Sequence, residues 1–158
     1  MSLHRRPVPM TLVVLLAGGL AVSAQGQATL VKDIHPGGTP SSSSVRALVA
    51  GPERVYASLS VPGREELWTS DGTLAGTRLV SAAPGGFLGE FAMVGSTLFF
   101  RAEDAGGPEL WKSDGTALGT ARVKDIRLGV NGSSPSDLTN VGGTLFFVAD
   151  DGVHGREL

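Results

Sequence analysis

Three groups of residues in this chain have the types and spacing for chemistry. Asp71-Gly72 and Asp114-Gly115 stand in matching loops and invite a calcium reading. A calcium loop needs six to eight oxygens around one ion, however, and each loop offers a single Asp. The simpler expectation is that the Asp accepts bonds from its own loop while Gly takes a positive φ. Asp150, Asp151 and His154 share one turn and could hold a metal. The corresponding turn has Glu103 and Asp104 but no His, so a turn role is favoured there too. Glu66 and Glu109 could serve as an acid/base pair. They recur at one position of a repeat, which favours a structural role. Outside the first 24 residues the only histidines are His35 and His154, there is no Cys, and neither His sits in a nucleophile motif. No catalytic residue, cofactor site or metal site is assigned from sequence. Asn131-Gly132-Ser133 fits a glycosylation sequon and is read only as an exposed loop.

Trp68 and Trp111 could stack on sugars. Because both occupy the same repeat position, packing between repeats is the better reading. On that reading Trp111→Ala should cost about 3–5 kcal/mol.

These residues are positioned by an internal repeat. Glu66-Leu67-Trp68-Thr69-Ser70-Asp71-Gly72-Thr73-Leu74-Ala75-Gly76-Thr77 returns 43 residues later as Glu109-Leu110-Trp111-Lys112-Ser113-Asp114-Gly115-Thr116-Ala117-Leu118-Gly119-Thr120. Glu157-Leu158 begins a third copy. Val31-Lys32-Asp33-Ile34 returns as Val123-Lys124-Asp125-Ile126, and Val80-Ser81-Ala82-Ala83 is its worn middle copy. Thr97-Leu98-Phe99-Phe100 returns as Thr144-Leu145-Phe146-Phe147.

Each unit reads as four strands, a to d. Strand a runs into a Gly-rich hairpin at Gly95-Ser96 or Gly142-Gly143, where Gly supplies the positive φ of a tight turn. Strand b is the Thr-Leu-Phe-Phe run, and Glu-Leu-Trp is strand c. The Asp-Gly-Thr loop leads into strand d, read as Val-Lys-Asp-Ile. Strand b is apolar on both faces, with Leu98, Phe100 and Ala102 opposite Phe99, so the sheet needs neighbours on both sides. Such units predict an all-β fold of tandem four-stranded antiparallel sheets, β-propeller-like blades, about three and incomplete. A β-solenoid or sandwich is the alternative. A leading strand d at Val31 would complete the last blade of a closed ring. The approximate units are residues 30–80, 81–126 and a truncated 127–158. Spacing varies in the d-to-a connections, where an exposed binding face is expected.

The motif resembles the bacterial ELWxxDGT repeat family, which is grouped with hyalin-like repeats. The likeness runs from about Leu30 to Leu158. It implies an exported, β-rich repeat protein without an assigned activity.

Residues 1–24 have the form of a secretory signal peptide: Arg5-Arg6, an apolar run over 10–22, and small residues at Ser23-Ala24. Residues 25–158 then form the ELWxxDGT-type β-repeat region. Without the leader, 11 basic and 15 acidic residues remain, a net charge of −4. That balance argues against nucleic-acid binding. The expected localisation is secreted, cell-surface or periplasmic, with no membrane span after cleavage. The expected function is a non-enzymatic structural, adhesion or partner-binding module. Its partner would be a protein or glycan at the cell surface, and open edges would allow self-association. A fragment of a secreted propeller enzyme or lectin acting on glycans is the alternative.

Overall fold

The computed structural model describes residues 13–14, 29–34, 43–84, 86 and 88–158. The leader reading therefore lies almost wholly outside the described residues, as does His35. Two short strands, β1 (Val13–Val14) and β2 (Thr29–Leu30), pair in parallel.

The rest is three antiparallel sheets. The first orders β3 (Ser44–Ala50), β4 (Val55–Val61), β5 (Arg64–Ser70) and β6 (Arg78–Pro84) side by side. The second repeats that meander with β7 (Gly89–Val94), β8 (Thr97–Asp104), β9 (Gly107–Ser113) and β10 (Ala121–Arg122). The third has β11 (Ser136–Val141), β12 (Thr144–Asp150) and the two-residue β13 (Arg156–Glu157). The fold is all-β, built of blade-like units that do not close into a barrel. Gly95 (φ 59°), Gly142 (φ 58°) and Gly143 (φ 87°) form the tight a–b turns where the sequence places them.

The blades stack face to face. Leu98, Phe100 and Ala102 of β8 are buried in one cluster with Tyr56 and Leu67 of the first blade. Val80 of β6 joins that cluster, and Trp111 packs against it. Phe91 and Phe100 stack with ring centroids 6.1 Å apart. The apolar-on-both-faces pattern of strand b is thus what lets one sheet serve two seams. The first strands of the blades, β3, β7 and β11, lie next to one another. Each carries a bulge, and in the second and third blades the bulge puts Glu90 (φ 51°) and Asp137 (φ 57°) in the left-handed region.

One expectation holds only in part and another is corrected. The strand d reading holds in the first blade, where Val80-Ser81-Ala82-Ala83 lies within β6, and fails in the second, where β10 ends at Arg122 and the chain leaves the sheet after the Val123 N–H bonds the Leu110 carbonyl at 2.8 Å. The cause is the buried Glu109 carboxylate, which takes the backbone N–H groups of Ile126 and Arg127 and bends the segment away from β9. Nor does Val31-Lys32-Asp33-Ile34 complete the last blade. Ile34 is buried against Ala57, Leu59, Val61 and Trp68, so the segment covers the first blade. The Lys32 ammonium sits 5.6 Å from the centre of the Trp68 ring and bonds the Thr77 carbonyl.

Candidate functional site

The two Asp-Gly-Thr loops follow β5 and β9 and share one hydrogen-bond plan. Asp71 Oδ1 accepts from the Thr73 backbone N–H at 2.9 Å and from its hydroxyl at 2.7 Å. Asp114 does the same with Thr116 at 2.8 and 2.7 Å. The Thr73 hydroxyl oxygen accepts from the Gly76 N–H, and the Thr77 hydroxyl donates to the Thr73 carbonyl. Ser70 and Thr77 hydroxyls meet at 2.7 Å, and Ser70 Oγ also takes the Gly72 N–H. Gly72 and Gly115 both have φ 89°. The side chains at the two positions between Thr and Gly take no part in this plan, though the Ala117 carbonyl accepts the Thr120 N–H at 3.3 Å, and Leu118 is fully exposed there.

The second glycine of the motif is explained by space. A Cβ on Gly76 would lie 1.9 Å from Asp71 Oδ1, and one on Gly119 2.1 Å from Asp114 Oδ1. Gly119→Ala should therefore expel the Asp114 carboxylate and open the loop. The expected cost is about 1–3 kcal/mol in a urea titration, while Leu118→Ala should stay within about 0.5 kcal/mol.

Hydrogen bonds from Thr73 and Thr116 hold the carboxyls of Asp71 and Asp114 below the usual carboxylate range. A depressed folded value means the bonds contribute fully above the unfolded pKa of about 3.9 and are lost as pH falls through the lower folded value. Carboxyl carbon NMR should show both groups still ionised when free Asp is half protonated. Ordinary titration of either carboxyl would refute this arrangement.

Each loop also touches the element before it. Arg78 of β6 donates to the Gly115 carbonyl at 3.2 Å, and Lys32 holds the first loop through Thr77.

Both glutamates accept hydrogen bonds through their carboxylates. Glu66 accepts from the Trp68 indole N–H at 2.8 Å and from Arg64. Glu109 is fully buried and accepts four bonds: Ile126 N, Arg127 N, Ser133 N and the Ser133 hydroxyl, the last at 2.6 Å. It is the internal anchor of the connection between β10 and β11. Gly107 and Gly132 let that connection press backbone to backbone, since a Cβ on Gly132 would meet Pro108 N at 2.5 Å. Glu66 and Glu109 sit in successive blades and do not form a pair.

The Asp150, Asp151 and His154 turn does not converge. Asp150 pairs with Arg127, while Asp151 caps the turn through the Val153 and His154 N–H groups and meets His154 Nδ1 at 2.8 Å. These bonds, that of the His154 backbone first, hold the Asp151 carboxyl far below its usual range. Among the described residues no group of three His, Cys, Asp or Glu side chains is placed to hold a metal. The reading of Asn131-Gly132-Ser133 as an exposed loop holds for Asn131 alone, since Gly132 and Ser133 are buried against Pro108 and the Glu109 carboxylate.

No family model, no curated protein and no solved structure matches this chain. Sequence reasoning missed Tyr56, which belongs to the weaker first copy of strand b. Its ring is buried, and its hydroxyl has no hydrogen-bond partner among the described residues. It lines a cavity of about 110 Å³ with Arg54 and Asp114. Burial raises the Tyr56 hydroxyl above its ordinary value, with Arg54 opposing. Only an aromatic with a polar tip inside an otherwise apolar strand could have signalled this position. Trp68 is 8% exposed with its N–H bonded to Glu66, whereas Trp111 is half-buried and its N–H has no partner among the described residues.

Proposed function

We propose that the chain is an exported member of the ELWxxDGT repeat family and acts as a non-enzymatic structural, adhesion or partner-binding module. The observation that carries this reading is where the acidic side chains go. Asp71 and Asp114 hold their own loops, Glu66 a Trp N–H, and Glu109 the loop between two blades. The groups most capable of chemistry are committed to holding the repeat together. The connection over residues 123–135, held rigid by Glu109, differs from its counterparts in sequence and supports a role in presenting a surface to a partner. The leader over residues 1–24 supports export to the surface or the medium.

The test uses the purified full chain with a panel of soluble and insoluble glycans. Retention on a glycan or none is compatible with a module, but no new reducing ends should form. Release of reducing ends in proportion to the amount of chain would overturn the reading and favour a glycan-degrading enzyme.

A further inference from the structure

The run Asn131-Gly132-Ser133 carries a second chemistry, one that needs no enzyme. The main-chain nitrogen after an asparagine can attack the side-chain carbonyl carbon and close a succinimide ring. Glycine in the following position favours this most, because it has no side chain to shield its nitrogen and turns most freely. The chain has two asparagines. Asn140 is followed by the β-branched Val141, which hinders ring closure, so Asn131 is the one placed to react. Its side chain is exposed in the connection between β10 and β11.

The fold holds this reaction shut. Gly132 is buried, and its nitrogen lies so close to Gly107 that a Cβ there would come within 2.6 Å of it. Its N–H donates to the Gly129 carbonyl at 3.4 Å. Solvent base cannot reach that N–H, and the nitrogen cannot swing onto Asn131 while Gly132 is pressed against Pro108. The bonds that keep it there lie just beyond. Ser133 gives its N–H and its hydroxyl to Glu109 at 3.0 and 2.6 Å, and its carbonyl takes the Asp150 N–H at 2.9 Å. The Ser134 N–H donates to the Pro108 carbonyl at 3.0 Å. Gly132 (φ 58°) and Ser134 (φ 49°) both lie in the left-handed region. A serine rests there only when its surroundings hold it.

We propose that Asn131 is a site of spontaneous deamidation gated by the Glu109 carboxylate, so that it records openings of the connection between β10 and β11. When Glu109 releases Ser133, the Gly132 nitrogen bonds to Asn131 Cγ. The Cγ–Nδ2 bond breaks, and ammonia leaves carrying the proton of the Gly132 N–H. Water then opens the ring at either carbonyl–nitrogen bond and leaves aspartate or isoaspartate. Isoaspartate routes the main chain through its own Cβ and Cγ and lengthens it by a methylene. The contact of Gly132 with Gly107 and Pro108 has no room for that extra length. The connection therefore cannot close again, and the change runs one way. This inference goes beyond the module reading and does not rest on it.

The test incubates the full chain in mildly alkaline buffer and follows Asn131 by peptide mass spectrometry, with Asn140 as the internal reference. The capped peptide Gly-Val-Asn-Gly-Ser-Ser, a copy of residues 129–134, gives the ungated rate. The folded chain should convert about a hundredfold or more slowly than the peptide. Glu109→Ala should speed the folded chain about tenfold or more while its circular dichroism stays that of the parent. Ser133→Ala, which removes only the hydroxyl bond, should speed it a few-fold, and it decides alone if Glu109→Ala fails to fold. Trp68→Ala weakens the first blade instead and should speed it far less. The purified isoaspartate form should lose amide protection over residues 123–135. Asn131→Asp, which adds the charge without the extra length, should keep it. The proposal is overturned if the folded chain keeps pace with the peptide, or if neither Glu109→Ala nor Ser133→Ala changes the rate. It is also overturned if Trp68→Ala speeds conversion as much as Glu109→Ala, since global unfolding is then the gate, or if the isoaspartate form stays protected.

Discussion

Trp68→Ala is expected to destabilise the chain by about 3–5 kcal/mol, the range for removing a large buried aromatic. Two losses add. The indole fills the space between the first blade and the segment bearing Ile34, where it is 8% exposed. Its N–H also satisfies Glu66 Oε2 at 2.8 Å, and Glu66 is almost wholly buried. Trp68→Phe separates the two, keeping most of the packing and losing the hydrogen bond, for about 1.5–3 kcal/mol. Trp111→Ala should cost less, about 2–3 kcal/mol, because its ring is half-buried and its N–H has no partner among the described residues. Urea titration of the three variants gives the ranking. A Trp68→Ala cost under about 1 kcal/mol would mean the ring is not a packing anchor.

Glu109→Ala should be comparably severe, about 3 kcal/mol or more, and its damage should be local. Four donors converge on that carboxylate from a connection up to 24 residues away in sequence. Glu109→Gln should rescue little. A carboxamide keeps one oxygen for two of the donors and turns an NH₂ group toward the other two. Amide hydrogen exchange is the discriminating measurement. Residues 123–135 should lose protection in both variants, while β3 to β6 of the first blade keep theirs. Uniform loss across all blades would mean that Glu109 supports the core rather than the connection.

Much of the architecture is legible in the sequence because it depends on near neighbours. Period-two apolar residues mark β8 and β12, Gly142-Gly143 marks a tight turn, and Asp114 can only reach Thr116 when Gly115 turns the chain. What escapes is set at a distance. Val123-Lys124-Asp125-Ile126 has the composition of a strand, yet Glu109, a dozen or more residues earlier, draws it out of the sheet. Glu90 and Asp137 adopt positive φ because their strands bulge there, which no local residue preference announces. The partners of the two motif glutamates, the Trp68 indole N–H for Glu66 and the Ser133 backbone and hydroxyl for Glu109, lie where no local pattern points.

The exit segment of each sheet gives the molecule a direction. Ile34 lies on the sheet that follows it, Val80 of β6 joins the second blade's core, and Arg78 reaches the second Asp-Gly loop. A chain emerging amino end first would find the seat for each new blade already made by the one before. Assembly would then advance by short loop closures and never wait for the far end of the polypeptide. Pulse-labelled hydrogen exchange would show this as protection arising in β4 and β5 before β12, and simultaneous protection would refute it. A fold of this kind can be finished one sheet at a time, each sheet resting on the last.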